Sequence, residues 1–122
     1  MKIRISWSKG QVTATLTDTP TSARVRTSLP FESKAKRWGK EVYFEVPFKD
    51  NLEPSAKQVV DAGTLCYWVE GQSMAIPFGP TPISKGNECR LVAPVNILGC
   101  LDSDATILDS IKEGESIRVE EA

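Results

Sequence analysis

Asp102, Asp104, Thr106 and Glu113 stand at positions one, three, five and twelve of a calcium-binding loop, an arrangement that can wrap a hard cation in carboxylate and hydroxyl oxygens. Ile107 occupies the sixth position, where such a loop needs glycine to turn, so the segment reads as a capped helix instead. The run Gly71, Gln72, Ser73, Met74, Ala75 comes close to the nucleophile elbow G-x-S-x-G, but its last glycine is missing and no helix pattern follows. It reads as a loop. The chain contains no histidine, which removes Ser-His-Asp and Cys-His arrangements, H-E-x-x-H zinc sites and any histidine general base. Glycines 71, 79, 86 and 99 lack the spacing of a phosphate loop or dinucleotide fingerprint. No catalytic residue, metal or cofactor is assigned on these grounds.

The composition narrows the setting. A chain of 122 residues suits a single domain spanning 1–122. Lys+Arg 15 against Asp+Glu 16 gives a net charge of -1, so no global field favours nucleic acid or an anionic membrane. The densest basic cluster, Lys34, Lys36, Arg37 and Lys40, is interrupted and would neutralise few phosphates. Residues 1–7 alternate charged and apolar side chains, unlike a signal peptide or a membrane span. Cys66, Cys89 and Cys100 form no CxxC pair and leave one odd, as expected of small apolar fillers in a reducing compartment. A cytoplasmic protein without disulfides, nucleic-acid contacts or membrane attachment is therefore expected. Its oligomeric state is open.

The elements that must position any site follow from periodicity. Ile3, Ile5 and Trp7, then Val12, Ala14 and Leu16, alternate on either side of Gly10, which reads as a hairpin with Gly10 supplying a positive-φ turn residue. Asp18 or Thr19 caps a short helix with Pro20 in its first turn, stopped by Pro30. A polar strand over 31–36 turns at Gly39 into a strand over 41–46, with Val42, Phe44 and Val46 inward and Tyr43 and Glu45 outward. Strands follow over 58–60 and 64–69. The run AIPFGPTPIS carries Pro77, Pro80 and Pro82, which excludes a central strand and predicts a surface loop. Residues 88–98 form the longest strand, broken or bulged at Pro94, with Leu91, Ala93, Val95 and Ile97 on one face and Arg90 and Asn96 on the other. A second helix over 102–112, capped by Ser103 or Asp104 and ended at Gly114, precedes a last strand over 116–119. About eight strands with two helices and no βαβ alternation predict a mainly β fold, a closed antiparallel barrel with plugged ends.

Four segments carry a family resemblance: SLPFESKAKRWGKEVYFEVP over 28–47, Cys66-Tyr67-Trp68, AIPFGPTPIS over 75–84 and APVNILG over 93–99. Together they resemble the small prokaryotic cyclophilin-like proteins, whose function is uncharacterised. The resemblance implies an eight-stranded cyclophilin-type barrel with a short helix capping each end. Genuine cyclophilins isomerise prolyl bonds with an arginine in a Phe-His-Arg context and a pocket built by a Gln-Gly-Gly-Asp strand. This chain has neither, so the isomerase residues do not map onto it.

The candidate ligand-binding residues are Arg37, Trp38, Tyr43, Glu45, Trp68, Phe78, Thr81 and Asn96. The aromatics would line a groove edged by the proline-rich loop, with barrel core as the competing role for both tryptophans. Arg37 and Glu45 flank the turn at Gly39, where a surface ion pair is the competing reading. Glu45 in a partly apolar groove would be able to act as an acid or base. The expected function is binding of a peptide segment or small molecule. The alternative is a divergent peptidyl-prolyl isomerase using a hydrogen bond from Arg37 or Arg90. A small-molecule enzyme using Glu45 with Tyr43, or an oligomerising role, completes the set.

Overall fold

A computed structural model describes residues 1–122. The hairpin forms from β1 (Lys2–Trp7) and β2 (Gly10–Leu16), pairing Ile3 with Ala14 and Ile5 with Val12, so that both apolar rows face the interior. Gly10 does not have positive φ. It opens β2 opposite Trp7, and a Cβ there would sit 3.2 Å from the indole, so glycine serves to make room for the ring.

Thr19 caps α1 (Pro20–Ser28), its hydroxyl accepting the Ser22 N–H at 3.1 Å. The helix buries Thr21, Ser22 and Val25 against the barrel. After it, β3 (Phe31–Lys34) pairs with β10 (Ser116–Glu121), while β4 (Lys36–Arg37) pairs with β5 (Glu41–Glu45). Fully buried Ala35 lies between them, its N–H donating to Glu115 and its carbonyl accepting from Gly114. The two segments are halves of one bent strand that leaves β10 and joins β5, which closes the ring.

Around that ring the order is β3, β10, β1, β2, β9 (Cys89–Leu101), β7 (Thr64–Trp68), β8 (Ser73–Pro77), β5 and β4. With β3 and β4 counted as one, the barrel has eight strands, all antiparallel. A further strand, β6 (Lys57–Val60), pairs with the first half of β9 outside the ring. The interior holds a cluster of 25 buried side chains, among them Phe44, Leu65, Tyr67, Met74 and Ile76. Burial of this apolar surface is the main stabilising term. No helix is long and apolar enough to cross a membrane.

Three local expectations change. The segment Ala75–Pro77 belongs to β8, which runs between β5 and β7 and is buried at every residue. Pro77 is tolerated because it ends the strand and contributes only its carbonyl, which accepts the Gly63 N–H at 2.8 Å. The second helix is a 3₁₀ helix over Ala105–Ser110, capped by Asp104. Its buried residues Ala105 and Leu108, with Ile111 just beyond, recur every three positions, the repeat of a 3₁₀ turn. In β9 the simple alternation fails: Val95 and Asn96 are both buried, because the pairing with β6 slips between Lys57 and Val59 and that with β7 slips between Leu65 and Cys66.

Candidate functional site

On the outer wall of the barrel, side chains from β5, β8 and β7 lie in cross-strand rows. Tyr43 is opposite Ala75, which is opposite Cys66; Glu45 is opposite Ser73, which is opposite Trp68; Glu41 is opposite Pro77. An outward face would ordinarily meet water. Here the first half of β9, held by β6, crosses over it, and Cys66, Ala75, Leu91 and Val95 form a second apolar cluster outside the main core. The Gln58 side chain braces this crossing by donating to the Leu91 carbonyl at 2.9 Å.

Between the wall and the crossing strand lies a cavity of about 150 Å³ lined by Trp38, Glu41, Tyr43, Trp68, Ala75, Leu91, Val92 and Val95. Trp38 arrives from the turn before β5, where its N–H donates to the Glu41 carbonyl at 3.0 Å and Gly39 takes φ +60. Tyr43 and Trp68 meet edge to face, 5.7 Å between centroids at 83°, and so form a corner of the cavity. The one charged residue of the lining is Glu41. It is 6% exposed, and its Oε1 is buried without a hydrogen-bond partner. Loss of hydration raises its pKa from 4.5 to about 7. The same burial pushes up the thiols of Cys66 and Cys89, with the nearby Glu41 carboxyl contributing.

Of the residues singled out from sequence, the fold brings Trp38, Tyr43 and Trp68 together at this cavity. The others lie elsewhere. Arg37 donates to the Ile111 carbonyl at 2.8 Å and to Asp109 Oδ1 at 3.1 Å, and its guanidinium lies 5.1 Å from the centre of the Phe78 ring. It ties the 3₁₀ helix to the barrel end, while Phe78 is part of the main core. Thr81 is buried, its hydroxyl donating to the Arg90 carbonyl and its N–H donating to Ser84 Oγ at 2.9 Å. Asn96 is fully buried; its amide donates to Thr21 Oγ1 at 3.0 Å and the Asn51 carbonyl at 2.9 Å, and its oxygen accepts the Glu53 N–H at 2.7 Å. Glu45 is exposed, beside an open depression with Glu32, Lys34, Lys36 and Gln72. Arg90 is engaged with Glu88 at 2.7 Å.

Sequence reasoning passed over Glu41. The available signal was its place two residues before Tyr43, which puts both on one face of β5. Which of Glu41 and Glu45 would be covered depends on the path of β9, and no local pattern reports that.

The sequence profile of the cyclophilin-like family matches residues 1–120. Among solved structures, the solution structure of a hypothetical protein from Archaeoglobus fulgidus superposes with a TM-score of 0.84 at 32% identity, covering 100% of this chain and 95% of that one. The structure of McbB, determined in complex with tryptophan, superposes with a TM-score of 0.68 at 16% identity, covering 98% of this chain and 44% of that one, a likeness of fold. Among curated proteins, none matches the chain.

Proposed function

The chain belongs to the cyclophilin-like family, and from that footing we propose that it is a binding protein whose outer-wall cavity receives one ring-sized or side-chain-sized group of a small molecule or peptide segment. The observation that carries this reading is the pairing of aromatic walls with a single buried, unpartnered carboxyl oxygen on Glu41. Preformed ligand sites have this character, mostly apolar with a few polar groups that fix orientation. A void of about 150 Å³ lined by apolar side chains is of a size that holds a benzene ring. It is too small for most drug-sized molecules, so a larger ligand would seat only one group in it.

The test is an amide NMR titration with ring-bearing compounds such as indole and with proline-containing peptides. Shifts are expected at Trp38, Tyr43, Trp68 and Leu91. Val92, half-exposed at the cavity, permits a blocking variant that leaves the core intact: Val92→Trp is expected to abolish these shifts while the rest of the spectrum persists. Unchanged binding in that variant would place the ligand elsewhere.

Prolyl isomerisation is a second reading, favoured by one feature. Below about pH 7 the protonated Glu41 carboxyl is a hydrogen-bond donor at an apolar cavity, and a donor to the prolyl amide lowers a rotation barrier of about 18–20 kcal/mol. A protease-free assay on Xaa-Pro peptides tests it. Catalysis that disappears in Glu41→Leu supports it, and a rate equal to the uncatalysed one removes it.

A further inference from the structure

We infer that the group the cavity selects is an organic ammonium, a positively charged nitrogen carrying apolar substituents, held between the aromatic walls and the Glu41 carboxylate. This rests on the cavity being the ligand site, as proposed above, and it adds the ligand's charge. Three of the eight lining residues are aromatic, and the perpendicular Tyr43 and Trp68 rings with Trp38 give the cavity ring surfaces in more than one plane. Ring faces carry negative potential and attract cations whose substituents can also pack against them. Glu41, once ionised, adds a full negative charge at the same place.

The lining contains no lysine or arginine that could neutralise Glu41 from within the chain. Lys40, which directly precedes Glu41, is exposed and forms no ion pair with it, and Arg37 and Arg90, which adjoin Trp38 and Leu91, are held by Asp109 and Glu88. The ionisable groups beside Glu41 are the Cys66 and Cys89 thiols from β7 and β9, with the Tyr43 phenol next along the same face of β5, none of them a cation. A neutral apolar guest would leave the buried carboxylate with no opposite charge beside it, whereas an ammonium supplies one. Entry of the cation favours the ionised carboxyl, so binding releases a proton near neutral pH.

A matched pair of probes separates charge from shape. Choline and 3,3-dimethylbutan-1-ol differ in the replacement of the quaternary nitrogen by carbon, and either can be titrated against tryptophan fluorescence or amide shifts. We expect choline to bind at least about tenfold more tightly at pH 8, a preference that shrinks below pH 6 and is lost in Glu41→Gln. A peptide bearing trimethyllysine, compared with choline, tells whether the ammonium comes from a protein side chain or a free small molecule. Equal or tighter binding of the neutral alcohol, or a preference that survives Glu41→Gln, overturns the assignment of charge while the cavity remains a ligand site. If neither probe nor indole binds, the ligand-site reading itself fails.

Discussion

The indole of Trp68 lies directly over the backbone of Gly71, so close that a Cβ on Gly71 would fall 2.2 Å from two ring carbons. The turn after β7 thus sets the orientation of one cavity wall, and through the edge-to-face contact it also supports Tyr43. Glycine is required at 71 for space, since its φ is not positive.

Gly71→Ala is expected to displace the Trp68 ring rather than unfold the barrel. Relieving the overlap costs about 1–3 kcal/mol of stability, and loss of the aromatic wall weakens ring binding by about fivefold. Thermal unfolding and a fluorescence titration on the same variant measure both. Unchanged Trp68 side-chain resonances would show that the indole does not depend on this glycine.

Glu41 makes folding stability fall as pH rises through the weakly acidic range. Below pH 4.5 the carboxyl is protonated in both states; between 4.5 and about 7 the unfolded chain ionises while the folded protein keeps its proton, and above about 7 the loss is complete. The full difference is about 3 kcal/mol. Urea unfolding between pH 4 and 8 should show this decline in the wild-type chain and a flatter profile in Glu41→Gln, with the variant the more stable of the two at pH 8.

Asp102 acts in the opposite sense. Hydrogen bonds from Thr15 and Lys2, with Thr13 adding a third, hold its carboxyl down at about 2, below its usual 3.8. Its contribution is present above pH 3.8 and is lost as pH falls through about 2. Asp102→Asn is expected to reduce acid sensitivity in that interval and to leave ligand binding unaffected, since Asp102 lies away from the cavity lining.

Asn96, itself fully buried, holds α1 and the segment before β6 to β9 through three hydrogen bonds. Asn96→Ala leaves the Glu53 N–H without its acceptor and should cost about 2 kcal/mol or more. Probe affinity at the cavity should stay within about twofold of wild type, because the side chain is on the other side of β9 from the lining residues Leu91 and Val95. A selective loss of affinity without loss of stability would restore Asn96 as a ligand residue.

Strict alternation in β1, β2 and β5 made their inward rows legible from the residues alone, and Thr19-Pro20 announced the start of α1. These are local properties of side-chain period and backbone preference, so sequence suffices for them. The same local logic failed at Pro77, because whether a proline ends a central strand depends on which neighbour needs its N–H, and at 105–110, where burial every third residue selected a 3₁₀ turn.

The site shows the boundary most clearly. Sequence by itself determined that histidine chemistry was excluded, that Tyr43 faces outward, and that the aromatics of β5 and β7 belong to a β-rich barrel. Only the tertiary structure decided that β9 and β6 cover one end of that outward face and leave the other in water. That asymmetry strips water from Glu41 and leaves Glu45 hydrated, although the two carboxylates stand four residues apart on the same side of one strand. Hydration depends on what lies above a side chain, and the covering strand lies some fifty residues away in the chain.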